Sequence, residues 1–299
     1  LKGSSTAPLT LSSPQPGWAE QDPRAWWDAA VKAIRAVLRD SGVAPGDVGA
    51  IGLSGQMHSS VFLDARGEVV RPALLWCDGR TTAACAEITK RVGAATLRKQ
   101  ASNPALEGFT LPKLLWLREH EPAAWKRVAK VVLPKDYVRF RLSGVLATDP
   151  SDASATLMYE TPKLRWSTDI LKAVKVPLTM VPDVGGSAEI TAHVSDEAAR
   201  ATGLRAGTPI AGGGADNACG AVGVGAVAPG EAVASWGTSG TVLAPTAKPI
   251  VDPGLRAHTF CHAVPNTWYV MGVMLTAGGA YGWFRSELAR DLAGRDDAN

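Results

Sequence analysis

The residues with chemical potential gather at a few turns. Gly212-Gly213-Gly214-Ala215-Asp216-Asn217 follows a short apolar run and precedes a stretch of small residues. A strand that ends in glycines and opens a helix is where open α/β sheets place ligands. Asp216 would project from the strand end into a crevice, and a helix N-terminus would favour its anion; an ordinary N-cap aspartate fits the same residues. Ser235-Trp236-Gly237-Thr238-Ser239-Gly240 brackets two hydroxyl residues with glycines. Its N–H and hydroxyl groups can face an anion, although a plain hairpin turn fits too. Gly55-Gln56-Met57-His58 brings an amide, a thioether and an imidazole to one strand end, and Trp76 and Asp78 follow the next strand. An apolar platform with polar handles suits a sugar, which has C–H faces to pack and hydroxyls to bond. Alone, His58 also reads as a structural histidine.

The elements that must position these groups are legible from spacing. Asp22-Pro23 reads as N-cap and first helical residue. Trp27, Ala30, Val31, Ile34, Val37 and Leu38 follow at helical spacing up to Gly42. Residues 48–53, 60–63, 72–76 and 209–211 read as strands, with a hairpin turn at 64–67. Helices are expected after Arg80 to about Val92, over 111–120, after a Ser195 cap, from Ala218 to about Val227, and from about Thr276. Thr148-Asp149-Pro150-Ser151-Asp152-Ala153-Ser154 reads as a turn followed by a helix cap. Residues 231–244 and 257–273 look like strand pairs. Strands alternating with helices, then a new strand cluster, indicate α/β architecture with a boundary near Pro229.

Composition narrows the classes. The chain has 299 residues, 46% apolar and 20% charged, with a net charge of +3 and no basic run. That argues against a nucleic-acid or membrane-surface binder. No apolar run reaches the roughly 18 residues of a membrane span. GxxxxGK[ST] and GxSxG are absent, and Gly223 to Ala228 matches G-x-G-x-x-A at the wrong end of a helix. His193, His258 and His262 lack zinc-site spacing. Cys77, Cys85, Cys219 and Cys261 read as buried, reduced thiols in a cytoplasmic protein. Of the ten tryptophans, Trp27 and Trp116 are expected in the core, and Trp76 and Trp236 at a site.

Taken in order, several segments resemble the FGGY carbohydrate kinases over nearly the whole chain. They are Pro16-Gly17-Trp18-Ala19-Glu20-Gln21-Asp22-Pro23, Gly52-Leu53-Ser54-Gly55-Gln56-Met57-His58, Leu75-Trp76-Cys77-Asp78-Gly79-Arg80, Gly108-Phe109-Thr110-Leu111-Pro112-Lys113-Leu114, Leu133-Pro134-Lys135-Asp136-Tyr137, the 148–154 phrase, Gly213-Gly214-Ala215-Asp216-Asn217 and Trp236-Gly237-Thr238-Ser239-Gly240. Each is weak alone; eight in the correct order are specific. The resemblance implies an actin/ribonuclease-H-like sugar-kinase fold. Residues 1–228 would form the sugar-binding lobe and 229–299 the beginning of the phosphate and nucleotide lobe. It implies Asp216 as catalytic base, with Gln56, Met57, His58, Trp76, Asp78 and Asn217 near the sugar. Gly237, Thr238 and Ser239 would approach the transferred phosphate, and Gly278 and Gly279 the nucleotide. The implied reaction is ATP- and Mg²⁺-dependent phosphorylation of a ketose, D-xylulose to D-xylulose 5-phosphate, since Gln-Met-His points to xylulose more than to glycerol or gluconate. Alternatives are another pentulose or polyol, or a non-catalytic sugar-binding relative. The implied partners are a small sugar and a nucleotide, with a homodimer allowed. The family's Asp-x-Gly-Thr phosphate loop has no counterpart, and the chain stops inside the expected second lobe. The expectation is therefore of a chain lacking that loop and most of that lobe, inactive by itself.

Overall fold

The computed structural model describes residues 1–289; the last ten residues of the expected 229–299 lobe lie outside that range. The helix Pro23–Ser41 begins where Asp22 accepts the Arg24 N–H at 2.9 Å and ends at Gly42 (φ +67°). It buries Trp26 and Trp27 against Val61, Leu63, Tyr137 and Ile210.

Two segments far apart in sequence then lie side by side. Ser54–Gly55 pairs in parallel with Gly214–Ala215, and Ile51 bridges Ile210. The run 48–53 is therefore a strand only at Ile51, with regular pairing beginning one residue past its expected end. Its partner explains this. At Gly212 and Gly213 the chain leaves the neighbouring strand and donates to the carbonyls of Glu189 and Ser187, then returns when Gly214 N donates to Leu53 O at 3.0 Å. Gly213 makes the detour at φ +74°, and a Cβ there would collide with Leu53 O, so only glycine serves.

The other expected strands form as short pieces. Val61–Leu63 pairs with Lys130–Val132, and Ala73–Leu74 with Glu20–Gln21, both antiparallel. The turn at 64–67 closes on Asp64, whose Oδ1 accepts from Arg66 and Glu68 N–H groups. Thr82–Val92, Thr110–His120 and the Ser195-capped Asp196–Thr202 are helical as expected. Asp149 caps Pro150–Ser154. The helix expected from Ala218 to Val227 is Asp216–Gly223. It starts earlier because Ala215, not Asp216, is the N-cap, and it ends earlier where Gly225 turns at φ +85°.

Beyond Pro229 the two expected strand pairs form one antiparallel sheet. Its order is Val233–Trp236, Gly240–Thr246, Trp268–Met274, His258–Cys261, and the helix Gly278–Glu287 follows. One apolar cluster joins both sides of Pro229, with Met57, Phe109, Trp116 and Ala218 from one side and Phe260, Tyr269 and Met271 from the other. Trp236 is 82% exposed, so it is no part of that core. No helix among the described residues is long and apolar enough to cross a membrane. All four cysteines are free thiols, but only Cys85 and Cys261 are buried as expected; Cys77 is exposed and Cys219 half-buried.

Candidate active site

The parallel pairing of 54–55 with 214–215 delivers Met57 and His58 to the same place as Asp216 and Asn217. They line a cavity of about 570 Å³ together with Trp76, Asp78 and Ser239. Gln56, Trp236, Gly237, Thr238, Gly278 and Gly279 are not in its wall.

Asp216 opens its helix and is exposed to the cavity. Its Oδ1 accepts from Asn217 N at 2.9 Å and from Asn217 Nδ2 at 3.2 Å. The Met57 backbone N–H also reaches the carboxyl. Desolvation pushes its carboxyl above the ordinary range, outweighing the N–H groups that favour the anion. The helix terminus thus does not set the net direction, contrary to expectation. Asn217 is held in turn by Met57 Sδ (3.6 Å) and Thr241 Oγ1 (3.4 Å).

His58 is a non-glycine residue at φ +67°, a conformation that persists only where surroundings impose it. Thr110 Oγ1 donates to its carbonyl at 2.9 Å, and its ring Nδ1 lies 2.7 Å from Ala155 O. A carbonyl only accepts, so Nδ1 carries the proton and Nε2 is an acceptor. Burial pulls the ring pKa down to about 3, which keeps it neutral.

Asp78 lines the cavity, but its carboxylate is already taken. Arg80 bonds Oδ1 at 2.8 Å and Oδ2 at 2.6 Å, Ala19 N donates to Oδ2 at 2.7 Å, and Arg80 also bonds Glu20 at 2.7 Å. The guanidinium stacks 3.6 Å over Trp18. Asp78 thus stands in the cavity wall as half of an ion pair. Gln56 accepts from Ser59 Oγ at 3.3 Å instead of facing the cavity. Gly237 N donates to Ser239 O, so that N–H is not free for phosphate. Gly278 and Gly279 donate to the carbonyls of Gly237 and Thr238 at 2.9 and 3.1 Å. A Cβ on Gly278 would lie 2.5 Å from Gly237 O. These two glycines allow close packing between loop and helix, and their N–H groups are committed to it.

Part of the wall escaped sequence reasoning. Glu107, Gly108 and Phe109 line the cavity, and the fully buried Lys113 donates to all three of their carbonyls. Burial pulls Lys113 down to about 7, while three acceptors match the three N–H groups of an ammonium. The sequence signal for this wall is the Gly108-Phe109-Thr110-Leu111-Pro112-Lys113 segment. Thr241 and His258 also line the cavity unforeseen.

Among the described residues no group of three histidine, cysteine or acidic side chains could hold a metal ion. A Mg²⁺ ion carried on nucleotide phosphates needs only one or two carboxylates. Asp216 is a cavity carboxylate outside every ion pair of the described residues, so the residues present fit that mode.

A model of the FGGY family of carbohydrate kinases, N-terminal domain, matches residues 1–223. The chain belongs to this family. An FGGY relative, the xylulose kinase of Escherichia coli K12, is 42% identical over 93% of this chain and 56% of its own length. That of Bacillus subtilis is 40% identical over 91% and 54% respectively. Among solved FGGY structures, the xylulose kinase from Rhodospirillum rubrum superposes with a TM-score of 0.89 at 31% identity, covering 96% of this chain and 58% of that one. A Brucella ovis structure gives 0.86 at 37% identity, over 94% and 57%. The expected α/β sugar-kinase fold is the one observed. The chain spans little more than half the length of these relatives.

Proposed function

We propose that this chain carries the sugar side of an ATP-dependent ketose kinase that converts D-xylulose to D-xylulose 5-phosphate. The observation that carries the reading is the juxtaposition of the Asp216 carboxylate, which has no cationic partner among the ion pairs of the described residues, with the neutral acceptor of His58 in one cavity. In this reading Asp216 is the base: it orients the terminal hydroxyl and takes its proton as the bond to phosphorus forms. Met57 packs against the carbon chain, His58 Nε2 accepts from a hydroxyl, and Asn217 steadies Asp216. Ser239 faces the transferred phosphate. Phosphoryl transfer runs through a loose transition state, so positioning and charge stabilisation dominate. Mg²⁺, when bound, offsets phosphate charge beside Asp216. Residues 1–228 serve as the sugar lobe and 229–299 as the start of the nucleotide-facing lobe. The reading extends to a cytoplasmic enzyme, for which a homodimer is one arrangement. The ~40% identity to xylulose kinases over most of the chain supports the choice of sugar.

The test, made on the whole protein because residues 1–299 are expected to be inactive by themselves, is sugar-dependent ADP release from ATP with D-xylulose, D-ribulose, glycerol and gluconate. Release strongest with D-xylulose is expected. Release strongest with another sugar would reassign the substrate, and sugar binding without release would favour a non-catalytic sugar-binding protein.

A further inference from the structure

The cavity holds a second imidazole. His258 opens the outer strand His258–Cys261 and lines the wall supplied by the antiparallel sheet. Its Nδ1 lies 2.9 Å from Asn103 Oδ1. Asn103 is fully buried, and its Nδ2 donates to Ala101 O at 3.1 Å and Thr259 O at 2.8 Å. Both partners are carbonyls that can only accept, so the amide orientation is determined. Its oxygen faces His258 and Thr259 N (3.3 Å) and must accept from both. The His258 proton is therefore on Nδ1, and burial keeps the ring pKa below its ordinary value. Nε2 is left as a lone-pair acceptor, on a half-buried ring that lines the cavity.

His58 repeats this arrangement from the opposite chain segment, with Nδ1 bound to Ala155 O. The two imidazoles belong to one ring cluster. The Phe109 ring is 4.7 Å from His58 and 5.8 Å from His258, and Phe260 is 5.6 Å from each. Neither ring can turn without losing its anchor and its packing.

We infer that His258 is a second sugar-recognition residue, accepting at Nε2 a hydrogen bond from a ketose hydroxyl other than the one bound by His58. The inference rests on reading the cavity as a ketose site. Two neutral acceptors held on fixed rings require two separate O–H donors from one ligand. A polyhydroxylated chain supplies both, whereas a carboxylate end presents none. His258 thus reads sugar configuration from the second sheet while His58 reads it from the first segment.

Calorimetric titration of D-xylulose, without nucleotide, tests this on the wild type, His258→Phe and His258→Gln. Phenylalanine keeps the stacking on Phe260 and removes the acceptor; glutamine restores one. An unmatched buried hydroxyl costs about 1–3 kcal/mol, so His258→Phe should weaken binding by about 5- to 150-fold, with partial rescue in His258→Gln. One monodeoxy ketose should lose the same affinity in the wild type and show no further loss in His258→Phe. Wild-type affinity in His258→Phe, or loss with no coupled hydroxyl, would overturn the inference alone. Absence of ketose binding by the wild type would overturn the ketose reading and this inference with it. If His258→Phe does not fold, nitrogen NMR of histidine-labelled wild type decides. A neutral Nδ1–H tautomer whose Nε2 signal moves on adding D-xylulose supports the inference, and an unmoved signal refutes it.

Discussion

Two acidic regions lie back to back in this molecule and behave differently. Behind the cavity, Asp136, Asp149 and Asp152 surround Lys135 at 2.7, 3.2 and 3.5 Å, and all four side chains are fully buried. In front, Asp216 has no cationic partner among the ion pairs of the described residues, and it lines the open cavity. The buried group is wired to the open one. Lys135 Nζ donates to Gly212 O at 3.2 Å. Asp149 accepts from Ser151 Oγ at 2.5 Å, and that oxygen accepts the N–H of Ala215 at 2.9 Å. Neither Asp152 oxygen has a hydrogen-bond partner, and burial lifts its carboxyl well above the ordinary range against the opposing pull of Lys135. The contrast teaches that the same side chain becomes scaffold or reagent according to what closes around it.

Experiments can break or sharpen this contrast. The largest effect is expected at the open carboxyl. Asp216→Asn should lower kcat by about 100- to 10,000-fold, the range of a general base, with D-xylulose affinity little changed by calorimetry. Near-native turnover would make Asp216 scaffold too. Lys135→Met should act on stability instead, because it strands buried carboxyls. A loss of about 3–5 kcal/mol is expected in urea unfolding, and unchanged stability would dissolve the cluster's structural role. A third effect distinguishes His58, which stays neutral until about pH 3 while the unfolded chain protonates near its ordinary 6.5. The unfolded state binds the extra proton between these values, so stability should fall as pH drops from about 6.5 towards 3. His58→Phe should flatten that slope in a pH series of unfolding curves. The smallest effect is expected at the link. Ser151→Ala leaves the Ala215 N–H unbonded, so urea unfolding should show a loss of about 1–3 kcal/mol. A loss as large as that of Lys135→Met would mean that Ser151 belongs to the cluster itself.

The legible parts of the sequence were those whose partners are close in the chain. The Asp22 and Asp149 caps, the Ser195 cap and the turn at 64–67 bond residues two to four positions away, and spacing alone announced them. Strand and helix existence also followed from periodicity, whereas the edges of 48–53 and 218–227 moved because of a detour at Gly213 and a turn at Gly225. Site residues were harder. A turn position places Asp78 at the cavity, but nothing in local spacing says that Ala19, 59 residues away, donates to its carboxylate. Trp236 has the same turn signature as Trp76, yet its strand carries it to the surface. Local spacing around His258 speaks only to zinc ligation, since the amide that fixes its tautomer lies 155 residues distant. Long-range partners decide which polar groups remain free, and short-range pattern does not contain them.

The parallel pairing of Ser54–Gly55 with Gly214–Ala215 also has a consequence in time. Met57 and Asn217, which meet across the cavity, are 160 positions apart. At 5–20 residues per second, a ribosome needs roughly 10–30 s to make the second after the first. Throughout that interval the apolar face around Met57 lacks its partner, so the nascent chain is open to chaperones and to misassembly until the glycine run of 212–214 leaves the exit tunnel.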